Sequence, residues 1–421
     1  MKNPVIVSVT IGLNYLKINA SQTIDENSIG IFSKKEEFNN LESGQDFIKN
    51  SLALIETKTM NSINKINLIL DDFSLKNLEI KNKVLDKTCV NFKNNRIRLD
   101  QKTYFDFKNS IKRDVIEDKN YANKKLITLV PLKFSIKDDL KNINESFTNF
   151  PIGKEVTKIS CSFAATFVDE HLYNKIMSLF AKTNIIFNQI IIASQLSFYK
   201  FNGSISDKLT FTLDIQKHKS LLVTTVNKVV IARNELRFSY NDLVEKISKN
   251  YNIGLKIADN LIQNYGFIFS SVNDNLDDAV YLNNDDCLIT KKELQNLIKS
   301  FLKTLSIEVR EIIDTKSHHN EIDFDVNILG KLENISNIDS YCGKYLEVKS
   351  IINNGKYASN FFSWNKIYNN HNALIKLNDI ISSKVEPIYE IKELPAIQSK
   401  KTLTFKLSKK RIQNNNSVVL V

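Results

Sequence analysis

Residues 4–20 alternate apolar and polar side chains: Val5, Val7, Val9 and Ile11 come first, the pattern resumes from Tyr15 to Ile18, and Gly12 lies between. Period-two alternation interrupted by a glycine predicts two strands joined by a tight turn. Residues 45–58 then place Phe47, Ile48, Leu52, Leu54 and Ile55 at helical spacing, ahead of a strand over 66–70 and a second alternating run near 75–84. A strand pair, a helix and a strand in that order predict an α/β layer.

The pattern shifts from about residue 88. Alternation over 96–99 precedes a polar helix over 103–117 and strands over 126–134 and 156–167. A helix over 169–183 and an apolar strand over 185–193 follow. Segments 209–213 and 221–231 form another strand pair, succeeded by a helix-rich block from 241 to about 315 and by the strand EIDFDVNIL ahead of Gly330. The chain from about 395 is polar and basic. No repeat of solenoid period is visible, yet strand pairs recur near 5–18 and 209–231, which suggests two related halves.

With 421 residues and 42% hydrophobic content the chain can bury at least one large core and is expected to form several compact units. It holds only 10 Gly and 5 Pro, well below the usual share of about 7% for Gly, which argues against designs that depend on glycine loops. The formal charge of +11 is compatible with a polyanionic partner or an anionic membrane surface. The lysines, however, are interspersed with 47 acids. No zinc-finger spacing, aromatic-basic RNA signature or long basic helix appears, so no nucleic-acid partner is expected.

Cys89, Cys161, Cys287 and Cys342 are far apart and unclustered, which speaks against a zinc ribbon or a disulfide framework. No run of about 18 apolar residues could span a bilayer, so the expectation is a cytoplasmic protein with at most peripheral membrane contact. His318-His319, followed by Asn320 and Glu321, point in different directions and have no third ligand placed by sequence. A solvated loop, with no metal, is expected there. Gly-x-Ser-x-Gly, GxxxxGK[ST] and HExxH are all missing.

Two strand-turn-strand units separated by an inserted block, then a helical block, then a strand ending in Gly, resemble the layout of the actin-like ATPase superfamily. The stretch FPIGKEVTKISCSFAATFVDEHLYNKIMSLFAKTNIIFNQIIIASQLSFY is similar in order and spacing to the FtsA family, as is LVEKISKNYNIGLKIADNLIQNYGF. The resemblance covers about 5–385. It implies an α/β, ribonuclease H-like two-domain fold of the actin-like kind with an SHS2 insertion: 1–87 and 185–203 as subdomain IA, 88–184 as the inserted subdomain IC, 204–240 and 319–385 as IIA, 241–318 as a helical IIB, and 386–421 as a basic tail.

A phosphate-gripping turn needs glycine for close backbone approach, hydroxyls for the oxygens and an acid for the metal or its waters. The family's first turn resembles Asp-x-Gly-Thr/Ser; here it reads Thr10-Ile11-Gly12-Leu13-Asn14, and only Gly12 survives. The second resembles Asp-Ile-Gly-Gly-Gly-Thr; here Asp214-Ile215 is followed by Gln216-Lys217-His218-Lys219. At the adenosine turn Gly330 remains beside Lys331, and Asp259 matches the family's acid while Ile262 stands in place of its lysine. Gly12, Asp214, Asp259 and Gly330 are thus remnants of a nucleotide site. The expectation is a scaffold and not an enzyme, with no cofactor and at most weak ATP and magnesium binding.

The resemblance further implies a partner, the acidic and apolar C-terminal tail of the ring protein FtsZ, docked on 241–318. A helix over 290–309 offers Lys291, Lys292, Lys299 and Lys303 near Leu294, Leu297, Ile298 and Leu302, a surface suited to such a tail. In the basic tail, Lys406, Lys409, Lys410 and Arg411 would add attraction to anionic lipid, although Asn414–Asn416 make a poor helix interior. Self-association into actin-like filaments and a place on the inner membrane face at the division site complete the implied picture. A PilM-type pilus-assembly scaffold is the alternative, and a sugar kinase of the same superfamily the more distant one.

Overall fold

The computed structural model describes residues 5–24, 27–75, 81–91, 96–138, 143–181, 183–196, 209–226, 229–268, 277–282, 288–317, 324–332, 335, 337–346 and 351–353. The chain opens with a meander of β1 (Val5–Ile11), β2 (Tyr15–Ile24) and β3 (Asn27–Glu37), followed by α1 (Leu41–Thr59) and β4 (Lys65–Leu70). An insertion follows: β5 (Lys81–Asn91), β6 (Ile97–Arg98), α2 (Gln101–Glu117), β7 (Lys124–Asp138), β8 (Ile143–Phe147), β9 (Glu155–Val156) and β10 (Lys158–Asp169). The chain returns through α3 (Glu170–Ser178), β11 (Ile186–Ile192) and α4 (Ala193–Leu196). A second meander of β12 (Leu209–Ile215), β13 (Ser220–Val226) and β14 (Val229–Leu236) leads to helices α5 (Tyr240–Tyr251) and α6 (Leu255–Tyr265). Hairpin β15 (Ala279–Leu282) and β16 (Leu288–Thr290), helix α7 (Lys291–Ser317), β17 (Phe324–Gly330), α8 (Ile338–Leu346) and β18 (Ile351–Asn353) close the described chain.

The two meanders nucleate sheets of one topology. The first sheet runs β11-β4-β1-β2-β3 and the second β18-β17-β12-β13-β14. In each, the meander is antiparallel and the two added strands are parallel to its first strand. Registers match as well. Thr10 lies opposite Ile69 and Ile11 opposite Leu70, while Asp214 lies opposite Leu329 and Ile215 opposite Gly330. The position of Thr10 in the first half is therefore that of Asp214 in the second.

Alternation decides what each sheet buries. Val7, Val9 and Ile11 pack with Phe47, Ile48, Leu52 and Ile55 of α1 in the first core. Helix α1 starts at an Asn40 cap whose side chain accepts the Ser43 N–H at 2.8 Å. In the second half Phe211, Leu213 and Ile215 face α5, α6, α7 and α8 through Leu243, Leu261, Leu294, Ile298 and Cys342. The insertion has its own core, where α2 covers a sheet of order β5-β10-β7-β8 with Phe134 and Phe150 edge to face at 5.4 Å.

Several boundaries differ from the sequence expectation. The limit drawn at 88 falls inside β5, because that strand pairs along β10 from Lys81 onward. The helix expected over 169–183 is shorter and belongs to the first half: Ile176, Leu179 and Phe180 join the first core, and the Ser178 carbonyl accepts a hydrogen bond from Gln45 of α1 at 2.8 Å. The apolar run at 221–231 divides between β13 and β14. Strand β3 escaped notice because it is an edge strand whose few apolar residues, Ile29, Ile31 and Phe32, run into the charged stretch Lys34-Lys35-Glu36-Glu37. No helix among the described residues is long and apolar enough to cross a membrane. The tail at 386–421, His318 and His319 lie outside the described residues, as do Lys406, Lys409, Lys410 and Arg411.

Candidate functional site

The turn between β1 and β2 is occupied from within. Gly12 N–H donates to the Tyr15 carbonyl at 2.9 Å and Leu13 N–H to Ser74 Oγ at 3.2 Å, so two groups that would face a phosphate are already committed. The Tyr15 ring lies directly against Gly12, and a Cβ at that position would overlap it. Lys35 Nζ sits 4.0 Å above the same ring, a cation–π contact. The Tyr15 hydroxyl donates to the Asp71 carboxylate. Burial, reinforced by the charge of Asp71, pushes the phenol above its ordinary range. Burial likewise raises Asp71, against the lowering effect of hydrogen bonds from Tyr15 and Ser74. Both shifts favour the protonated form of each group.

The second turn is filled by different means. Gln216 N–H closes the hairpin onto the Lys219 carbonyl at 3.1 Å, and the Gln216 side chain donates to Asp214 Oδ1 at 2.6 Å. The carbonyls of Gln216 and Lys217 accept the N–H groups of Tyr240 and Asn241, each at 3.0 Å, at the start of α5. Those are donors a helix N-terminus otherwise leaves unsatisfied. Lys219 pairs with Glu235 at 3.2 Å, and Asn241 meets the His218 ring at 3.1 Å.

Gly330 keeps a structural reason to be glycine. Its φ is +94°, and a Cβ there would overlap the Ile215 carbonyl oxygen. It also approaches Asp214, so the structure brings these two expected residues together. Asp259 stands apart: it accepts a hydrogen bond from the Tyr240 hydroxyl at 2.6 Å, a phenol that burial and then this contact push upward. Gly12 belongs to the other half.

These geometries do not fit a nucleotide. The acid of the first turn is Thr10, fully buried; its glycine is covered by Tyr15; the second turn carries side chains where a cradle needs backbone. Among the described residues no three His, Cys, Asp or Glu side chains gather as a metal site.

The residues sequence reasoning missed hold the halves together. Asp72, fully buried just past β4, accepts from Arg233 Nε of β14 at 2.7 Å and from the Ser194 N–H at 3.0 Å. Arg233 also donates to the Asp72 carbonyl at 3.3 Å. Beside this pair Phe73 packs on Leu221, Val223 and Val230 of the second sheet, and Val130, Leu132 and Ala164 of the insertion pack on Val229 and Ile231. The acidic doublet after a buried strand was a visible signal. Arg233, one basic residue in an exposed-looking hairpin, offered none.

The lysines expected to meet a partner are mostly engaged. Lys291 pairs with Asp278 at 3.0 Å, Lys299 donates to Gln295 at 2.6 Å, and Lys303 lies 5.8 Å from the Tyr345 ring of α8. The neighbouring Leu294, Ile298 and Leu302 are wholly buried. That stripe is core and offers no anchor sites.

Two halves of one ribonuclease H-like sheet topology, tied together through Asp72–Arg233 and the packing of Phe73 on the second sheet, define the actin-like fold. No protein-family model matches the sequence, and no curated protein matches it either. Solved structures of similar architecture include a chain of a PilM–PilN type IV pilus biogenesis complex, 12% identical, with 91% of this chain and 99% of that one covered and a TM-score of 0.49. MreB5 of Spiroplasma citri bound to ADP is 12% identical over 91% and 97% of the two chains, with a TM-score of 0.41. The ethanolamine utilization protein EutJ from Carboxydothermus hydrogenoformans is 7% identical over 83% and 85%, with a TM-score of 0.39.

Proposed function

We propose that this chain is a nucleotide-independent scaffold of the actin-like class, acting as FtsA does: it binds the C-terminal tail of FtsZ and holds a division ring at the inner face of the membrane. The observation that carries the loss of nucleotide is the filled first turn, where Tyr15 occupies the surface of Gly12 and donates a hydrogen bond to Asp71. The buried Asp72–Arg233 pair supplies an internal tie between the halves, so the fold has a brace that needs no ligand. An enzyme would require the missing acid and open turns. A PilM-like role in pilus assembly is the second reading, because the insertion between β4 and β11 suits either scaffold.

The test has two parts. Millimolar ATP with magnesium is expected to leave the melting temperature unchanged, since stabilisation follows RT ln(1 + [L]/Kd); a rise of several degrees would refute nucleotide independence. Titration of labelled FtsZ tail and of a PilN cytoplasmic peptide then separates the two scaffolds. Binding of the first alone supports division, and binding of the second alone replaces it with pilus assembly.

A further inference from the structure

Helix α2 leaves uncovered what α7 buries. Phe105 and Ile116 are 51% and 57% exposed. Eleven residues of α-helix bring them to within about 20° of the same face, about 16 Å apart. Lys102 and Lys112, both exposed, fall on that face too. The acids of α2, Asp106, Asp114 and Glu117, lie about 100° or more away from Phe105. Alongside, α2 and the strands beneath it leave a shallow, open, apolar crevice, walled by Phe107, Ile111, Leu129, Pro131 and Phe163, with Lys108 at its rim. Lys108 and Lys112 have no ion pair among the described residues; the Lys108 amine lies 5.9 Å from the Tyr104 ring.

Single exposed apolar residues need no explanation. Two of them in line on one helix face, beside an apolar crevice and the unpaired Lys108 and Lys112, make a surface with a sign. We infer that the outer face of α2 is the docking surface for a partner's acidic segment, which lays aliphatic or aromatic side chains along Phe105, Ile116 and the apolar mouth of the crevice and its carboxylates on Lys108 and Lys112. This rests on the scaffold reading and moves its contact from α7 to the insertion.

The experiment uses the full chain and two fluorescein-labelled peptides, one alternating Asp with Leu and Phe, the other with Lys in place of every Asp. The acidic peptide is expected to bind with micromolar Kd, weakening with salt, and the basic one not to bind. Phe105→Ser with Lys112→Glu should weaken acidic-peptide binding by about tenfold or more, without changing the melting temperature because both positions are exposed. Lys299→Glu with Lys303→Glu on α7 should leave it unchanged. Acidic-peptide or FtsZ-tail binding that survives the α2 variant and falls with the α7 variant overturns the surface and leaves the scaffold reading standing. No acidic-peptide binding by the unaltered chain overturns the surface outright. Capture of the chain by anionic vesicles, lost in the α2 variant and without peptide binding, identifies a lipid face and equally overturns it.

Discussion

The two meander turns occupy equivalent places in equivalent sheets and have been closed by opposite routes. At the first, the glycine stays and a neighbouring side chain moves onto it: Tyr15 covers Gly12 and binds Asp71. At the second, the acid stays and the glycines go, so Gln216 folds back on Asp214 while the turn's carbonyls cap α5. The matching registers of Ile11 with Leu70 and Ile215 with Gly330 show that the frameworks beneath the two turns are equivalent. Ligand-contacting groups and framework groups are therefore separable in this fold, and only the framework is held by packing.

The sharpest way to break the comparison is Gly330→Ala. The residue needs a positive φ and faces a backbone oxygen that cannot step aside, so a loss of about 3 kcal/mol or more is expected. Gln216→Gly removes one donor to the buried Asp214 carboxylate but meets no backbone clash, so its cost should stay at about 1–3 kcal/mol. Urea melts of both variants decide it.

Next comes Arg233→Met, which strands the buried Asp72 carboxylate; breaking one partner of such a pair costs about 3–5 kcal/mol. Asp72→Asn in the same chain should restore part of this, because the uncompensated charge is then gone. A double-mutant cycle reads the coupling; purely additive losses would mean that the pair does not join the halves.

Gly12→Ala is expected to cost about 1–3 kcal/mol, since the Tyr15 ring that a Cβ would meet can turn away where a carbonyl cannot. The cost should shrink in a Tyr15→Ala background. An undiminished cost would place the strain in the backbone of the first turn.

The smallest effect is one of pH. Burial raises Asp71 above its unfolded value, so its contribution to stability is fully present below the ordinary carboxylate range and is lost as pH rises through the raised folded value. Asp71→Asn cannot ionise, and the difference in unfolding free energy between variant and parent should grow in the variant's favour from about pH 4 to pH 7. A parallel pH dependence would show that Asp71 does not carry the proton.

What sequence could and could not supply follows from the same separation. Glycine, alternation and strand order are local properties, so the strand pairs that open both meanders, the insertion strands β7 and β10, and the altered turn residues were legible. The filling of the first turn was not, because Tyr15 reads as one more apolar strand position until β4 brings Asp71 beside it. Lys299 and Lys303 illustrate the opposite failure. Their spacing beside Leu294 and Ile298 is that of an amphipathic docking helix, and it is equally that of a helix whose apolar face is core; only the packing of α8 and the second sheet decides between them. Strand β3 offered only Ile29, Ile31 and Phe32 ahead of a charged run, too short a period to stand out.

The insertion touches both halves: it leaves the chain between β4 and β11 and rests Val130, Leu132 and Ala164 on Val229 and Ile231. In mechanical terms this makes a closed truss, with Asp72–Arg233 as one strut and the insertion as another. A body braced by a bound ligand goes slack when the ligand leaves, and its stiffness varies with metabolic supply. Here tension applied at the insertion would reach the second sheet through packed side chains of the same chain, with no ligand in the path.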